Sequence, residues 1–170
     1  MQGARVADES AARVNPPRTS EVQEKNRAAP APGSARIPRL DDVSILVVDD
    51  DPDACQALQN LLRSLGATVT IANSTREALA RLDAVPVDAV VSDIGMPVED
   101  GHVLARRIRE RERDLHGARR MPLIALTAYG RVDDKVEVMT AGFDRHAVKP
   151  VDPLELVTML KTLMSDRTAG

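Results

Sequence analysis

From Asp42 onward the chain alternates short apolar runs with longer amphipathic stretches, and it does so five times. The runs fall at 44–49, 67–71, 88–92, 123–127 and 143–148. They are continuous rather than alternating, as in Ile45-Leu46-Val47-Val48, which predicts strands buried on both faces. The intervening stretches predict helices over 52–65, 75–83, 99–113 and 131–140, with a fifth starting at Asp152 and Pro153. Asp51 is placed to cap the first helix, Pro52 opens its first turn, and Gly66 stops it. Ala54, Leu58, Leu61, Leu62 and Leu65 give that helix an apolar stripe. Ser74 caps the second, with Glu77 three residues on. Val103, Leu104 and Ile108 serve the third, on which Arg106, Arg107 and Arg109 read as a solvated face. Leu156, Val157, Leu160 and Leu163 serve the fifth. Such repeats predict an α/β fold, a doubly wound five-stranded parallel sheet with helices on both faces. Right-handed crossovers bring the strand C-termini to one edge, where open α/β sheets bind ligands.

The polar residues gather at that edge. The first run ends in Asp49-Asp50-Asp51, the third in Asp93, the fourth in Thr127 and the fifth in Lys149-Pro150. Singly, each has a plain explanation, because aspartates after strands often cap helices or support turns. Together they repel and raise one another's pKa unless a cation neutralises them. An all-oxygen cluster selects a hard divalent cation, Mg²⁺ or Mn²⁺. Lys149 adds a local counter-charge and can hold a phosphate oxygen. Thr127 can hydrogen-bond a second, and the backbone around Ile94–Gly95 and Ala128 offers N–H donors. This is equipment for phosphoryl transfer to a carboxylate.

Composition narrows the alternatives. Tyr129 and Phe143 are the only aromatic residues, so the core is aliphatic and a stacking platform for single-stranded nucleic acid is not expected. Residues 1–40 carry seven Arg/Lys and four Asp/Glu, a net +3; with -3 for the whole chain, -6 remains for the rest. An acidic folded part argues against direct nucleic-acid binding. Cys55 is the single cysteine, which rules out an intramolecular disulfide or a cysteine-based zinc site. No apolar stretch reaches the roughly 18 residues of a spanning helix. Asp8, Glu9 and Arg13 interrupt any secretory signal core. The expectation is a cytoplasmic protein without membrane insertion.

Asp49-Asp50, Asp93-Ile94-Gly95-Met96-Pro97, Leu126-Thr127-Ala128 and Lys149-Pro150 together resemble the receiver domain of bacterial two-component response regulators. The likeness covers residues 43–165. It implies a flavodoxin-like topology with strand order 2-1-3-4-5. It implies that Asp93 accepts the phosphoryl group and also ligates Mg²⁺. Asp50 is then a direct metal ligand, Asp49 a supporting one, often through water, and the Gly95 carbonyl a further one. Thr127 and Lys149 contact the phosphoryl group, and the Lys149–Pro150 peptide is expected cis. His146, three residues before the lysine, falls at a switch position that turns inward as Thr127 moves. Gly95 and Tyr129 fall at positions that set reaction rates. His102 is expected to be exposed and His116 to lie in a loop, with no spacing that makes an imidazole metal site.

Ala125-Leu126-Thr127-Ala128-Tyr129 and Ala141-Gly142-Phe143-Asp144-Arg145-His146 resemble in particular receivers attached to hybrid sensor kinases. The implied partners are a histidine kinase or a histidine phosphotransfer protein, docking beside helix 1. A downstream protein is expected on the helix 4–strand 5–helix 5 face, which carries Val132, Val136, Val138, Ala147 and Val148. Self-catalysed phosphorylation and dephosphorylation with Mg²⁺ are also implied.

The expected organisation is an extension over 1–41, a receiver over 42–165 and a tail over 166–170. The extension holds Pro16, Pro17, Pro30, Pro32 and Pro38 with few large apolar groups, and reads as disordered or partly helical. Tethering a partner, homodimerisation and simple solvation are the roles open to it. No output segment follows helix 5, so a single-domain regulator is expected. Two other readings compete. One is a phosphorylation-independent adaptor. The other is a haloacid-dehalogenase-like phosphatase with Asp49 as nucleophile and Asp51 as acid/base, from whose pattern Pro52 departs. A dinucleotide-binding enzyme is disfavoured because strand 1 lacks Gly-x-Gly-x-x-Gly.

Overall fold

A computed structural model describes residues 38–97, 100–115, 119–128 and 132–168. The expected extension up to residue 37, together with His116 and Tyr129, lies outside the described residues. The elements are β1 (Ser44–Val48), α1 (Pro52–Ser64), β2 (Thr68–Ala72), α2 (Thr75–Ala84), β3 (Ala89–Asp93), α3 (Gly101–Asp114), β4 (Leu123–Thr127), α4 (Val132–Ala141), β5 (Arg145–Val148) and α5 (Pro153–Thr168). All strand pairs are parallel, in the order β2-β1-β3-β4-β5. The expected doubly wound fold and strand order are both present.

The continuous apolar strands supply two cores, one on each face of the sheet. Ile45, Val47, Val91, Ile124 and Leu126 pack with Cys55 and Leu62 of α1 and with Leu156 and Leu160 of α5. Leu46, Val48, Val90, Leu123 and Ala125 pack with Ala78 and Leu79 of α2, Leu104 and Ile108 of α3, and Val138 of α4. Period-two geometry sends neighbouring residues to opposite faces, so an unbroken apolar run serves both cores. The register then aligns the ends: Val48 lies opposite Ser92, Asp93 opposite Leu126, and Thr127 opposite Val148.

Helix caps follow the local chemistry. Asp51 accepts from Asp53 N–H, Ser74 from Glu77 N–H, and Asp100 from Val103 N–H. Other local details differ from expectation. Strand β5 starts at Arg145 rather than 143. Gly142 takes φ +114 at the end of α4, and Phe143 N–H donates to the Val138 carbonyl at 3.3 Å. Phe143 thus closes the helix and buries its ring. On α1 the buried set is Cys55, Gln59 and Leu62, while Ala54 and Leu61 are half-buried. The stripe turns toward edge strand β2, where Gln59 Nε2 and Arg63 Nη2 donate to the Val69 carbonyl at 3.2 and 3.3 Å.

The folded part also begins earlier and ends later than 42–165. Leu40 is fully buried, and its N–H donates to the Leu65 carbonyl at 2.8 Å. Helix α5 continues to Thr168.

Arg109 corrects the expected solvated face of α3. It is buried at the edge where β4 and β5 begin. Its Nε donates to the Gly142 carbonyl at 2.8 Å, and Nη1 to Glu112 at 2.8 Å and to the Met121 carbonyl at 2.9 Å. Nη2 pairs with Asp144 at 2.7 Å. Asp144 also accepts from Leu123 N–H and from Arg120. Each polar group thus has a partner in the low-dielectric interior, the condition for burying a guanidinium.

Candidate functional site

The C-terminal edge of the sheet gathers the acidic residues. Asp49, just after β1, is buried; Asp50 is exposed; and Asp93, the last residue of β3, is buried. One carboxylate oxygen from each lies within 4.8 Å of the others. Lys149, just after β5, reaches into this group. Its Nζ lies 2.7 Å from Asp49 Oδ2 and 3.1 Å from Asp93 Oδ1. Backbone bonds fix the loops. Lys149 N–H donates to the Thr127 carbonyl at 2.8 Å, and Ile94 N–H to the Leu126 carbonyl at 3.1 Å. The Lys149–Pro150 peptide is cis. Thr127 is buried at the end of β4. Asp51 instead turns to α1 as its cap, while its N–H donates to Asp49 Oδ1 at 3.0 Å.

Burial pushes the Asp93 carboxyl above its ordinary range. The hydrogen bond and charge of Lys149 pull it back, while Asp49 and Asp50 repel it upward. Burial alone would lower the Lys149 ammonium, but its bonds to Asp49 and Asp93 and their charges win and raise it. Lysine therefore stays charged and holds together carboxylates that would otherwise repel.

A stability prediction follows for metal-free protein. A carboxyl with a raised folded-state pKa stabilises the fold below its unfolded value and loses that contribution as pH rises through the folded value. At neutral pH the wild type has lost it, whereas asparagine imitates the protonated form. Asp93→Asn is expected to show a higher urea midpoint than wild type at pH 7 in chelator. The difference shrinks as pH falls below the ordinary aspartate range. Equal midpoints at pH 7 would count against the burial argument.

Gly95 is exposed beside the Asp93 carboxylate. A Cβ added there would sit 3.5 Å from Asp93 Oδ2, an ordinary contact, so a side chain at this position would abut Asp93 without displacing it. His146 is half-buried in β5, in register with Ala125. His102 is not the exposed residue expected. Its side chain is 18% accessible, with Nδ1 3.5 Å from Asp100 Oδ2, and its Nε2 is buried without a hydrogen-bond partner. Asp100 caps α3, and His102 lines a cleft together with Thr140 and Ala141 of α4.

On the α4–β5–α5 face, Val136, Met139 and Val148 are exposed. Val138 and Ala147 belong to the core instead, each 1% accessible. Their positions in the helical and strand periods turn them inward.

Three contributors escaped the sequence reading. Asn73 Nδ2 donates to the Asp49 carbonyl at 2.9 Å and so anchors the acidic loop from β2. Its position just before the Ser74 cap is the available signal. Gly101 allows the start of α3 to approach β3, since a Cβ there would lie 2.5 Å from the Asp93 carbonyl oxygen. The Asp100-Gly101 pair is its signal. Arg76 lies in a groove beside Asp50, and nothing local marks it. Cys55 sits beneath the site, its Sγ 3.4 Å from the Asp49 carbonyl. Burial and the nearby Asp49 charge push its thiol up to about 11, which keeps it protonated and unreactive at neutral pH.

Comparisons with known proteins agree with this geometry. The family model for the response regulator receiver domain matches residues 45–161. An uncharacterized 14.6 kDa protein in the sodA1 3' region of Leptolyngbya boryana is 43% identical over 122 residues, 72% of this chain and 90% of that protein. Hybrid signal transduction histidine kinase D of Dictyostelium discoideum is 34% identical over 129 residues, 74% of this chain but 8% of that protein. The receiver domain of Francisella response regulator 1452 superposes with a TM-score of 0.65 at 27% identity, covering 74% of this chain and 98% of that one. No described helix is long and apolar enough to cross a membrane.

Proposed function

The chain belongs to the response regulator receiver family, and on that premise we propose that it is a phosphorylation-dependent signalling switch whose acceptor is Asp93. The observation that carries the reading is the Lys149 ammonium held against both Asp49 and Asp93. A structural ion pair would need one carboxylate. This arrangement collects three and leaves Asp50 exposed.

The donor is a phosphohistidine on a histidine kinase or a histidine phosphotransfer protein. An Asp93 carboxylate oxygen forms the new bond to phosphorus as the P–N bond breaks, and the imidazole leaves with the electron pair. Lys149 and the Thr127 hydroxyl hold phosphoryl oxygens as charge redistributes. The donor set is all oxygen and suits Mg²⁺, with Mn²⁺ as a substitute. Asp50, Asp93 and the Gly95 carbonyl would hold the ion, with Asp49 in support. When bound, it neutralises charge shared between phosphoryl oxygens and carboxylates.

Thr127 then moves toward the new phosphoryl group and His146 follows inward. The change reaches the surface carrying Val136, Met139 and Val148, where a downstream protein reads it. Water attack on the acyl phosphate resets the switch. Gly95 places no side chain in its path, and Tyr129 occupies the other rate-setting position. The receiver acts in the cytoplasm, by protein contact or by relay, and residues 1–41 are a candidate dimerisation or tethering segment.

Intact mass after incubation with phosphoramidate and Mg²⁺ tests this. The expected gain is about 80 Da, one phosphoryl group, absent in Asp93→Asn. No gain in wild type would sink the reading. Partner binding that is identical for wild type, its phosphorylated form and Asp93→Asn would favour the adaptor. The phosphatase reading requires Asp51 to act as acid/base, yet that side chain caps α1.

A further inference from the structure

Residues 106–120 carry seven arginines and three carboxylates, a net +4 within a chain of net -3. This surplus lies at the edge where β4 and β5 begin, opposite the strand ends that hold the acidic cluster. There a cleft of about 470 Å³ opens between α3 and the end of α4. Arg106, Arg109, Arg113 and Arg120 line it, against two carboxylates, Glu110 and Glu112. We propose that this cleft is an interaction surface for an acidic segment of a partner protein, held by Arg106, Arg113 and Arg120. The inference stands apart from the phosphoacceptor reading.

The bonding in the cleft divides the arginines into two kinds. Arg109 turns its guanidinium inward, to Glu112, Asp144 and the Gly142 and Met121 carbonyls. Glu112 is neutralised by that pair and by Met121 N–H at 2.6 Å. The two together form a fixed wall. Arg106 and Arg113 are exposed, and among the described residues no carboxylate pairs with either. Arg120 holds Asp144 at 2.9 Å, yet its side chain stays 60% accessible. Arg113, in the last turn of α3, complements the negative end of its own helix. Arg106 lies two turns earlier, where that effect has fallen away. Residues seven apart share one helical face, about 10 Å apart along the axis, the span of about three extended residues. A peptide carboxylate at each end of such a span meets a guanidinium fork suited to bidentate pairing.

A nucleic acid fits this surface less well. Its phosphates repeat at every nucleotide, so a strand joining Arg106 to Arg113 would meet Glu110, exposed between them. A peptide can place an uncharged residue there. The lining also offers no aromatic ring on which a base could stack. The net negative charge of the chain weakens long-range attraction for a polyanion, whereas a short acidic segment needs only the local field of the cleft.

Fluorescence anisotropy at low salt tests this on the full chain. The probes are a labelled Glu-Ser-Ser-Glu-Ser-Ser-Glu peptide and a labelled oligothymidine of equal charge. The peptide is expected to bind more tightly than the oligothymidine, and added salt to release it. Arg106→Gln and Arg113→Gln should each weaken peptide binding about fivefold, the upper effect of one exposed charge pair. Glu110→Gln should strengthen it about threefold, because a repulsion is removed. Loss of fold cannot produce opposite shifts from one helix face. Lys161→Gln is the control, an exposed lysine on α5 outside the cleft, and should leave binding unchanged. The proposal is overturned by absence of peptide binding, by equal weakening in Lys161→Gln, or by weaker binding in Glu110→Gln. Tighter binding of the oligothymidine also overturns it and assigns the cleft to nucleic acid.

Discussion

Arg109→Met is expected to destabilise the protein by about 3–5 kcal/mol, because it strips the cation from a buried network and leaves the Glu112 carboxylate without a cationic partner. Glu112 would keep only its bond from Met121 N–H. Asp144 would keep Leu123 N–H and Arg120, which places the loss toward the lower end of that range. Two carbonyls, of Gly142 and Met121, would also lose a donor. Arg109→Lys should recover little, since an ammonium cannot reproduce a planar fork that serves four acceptor groups at once. Arg106→Met is the control: Arg106 is exposed on the same helix, and such changes shift stability within about 0.5 kcal/mol. Urea denaturation at neutral pH measures all three variants. A midpoint for Arg109→Met equal to that of Arg106→Met would show that the network contributes nothing.

The same residue shows where sequence reading fails. Arg109 stands among Arg106, Arg107, Arg111 and Arg113, and nothing local separates a buried guanidinium from its solvated neighbours. Its partner Asp144 lies 35 residues away, and only the α3–α4–β5 packing brings them together. Leu40 and Gln59 were hidden for the same reason, since their burial depends on Leu65 and Val69 across other elements. His102 was misjudged because burial on α3 depends on how closely α4 approaches. By contrast, strand existence, the Asp51 and Ser74 caps and the strand order were legible. Each rests on a short-range signal, a continuous apolar run, a side chain beside its own helix, or a motif set with strong resemblance. The acidic cluster was legible for a topological reason. Parallel strands deliver their last residues to one edge, so Asp49, Asp93 and Lys149 meet although Lys149 lies 100 residues from Asp49. Arg76 has no such guarantee, because it reaches the groove from a helix rather than a strand end.

Lys149→Met is expected to slow formation of the Asp93 adduct by about a hundredfold, the usual cost of removing one group that meets charge developing in a transition state. The amine now lies against both Asp49 and Asp93. A purely structural lysine would also lower stability when removed, so rate alone does not decide its role. The rate read together with divalent-cation affinity does. Removing a positive charge from beside three carboxylates leaves a more negative site, and a hard cation should bind it more tightly. Calorimetric titration with Mg²⁺ should therefore show affinity rising in Lys149→Met while phosphoramidate turnover falls. A variant that had merely lost its fold would lose both. Turnover at the wild-type rate would remove Lys149 from phosphoryl transfer and leave it as the counter-ion of Asp49. Opposite movement of the two readouts is the mark of a cation that occupies the site at rest and holds the phosphoryl group once it arrives.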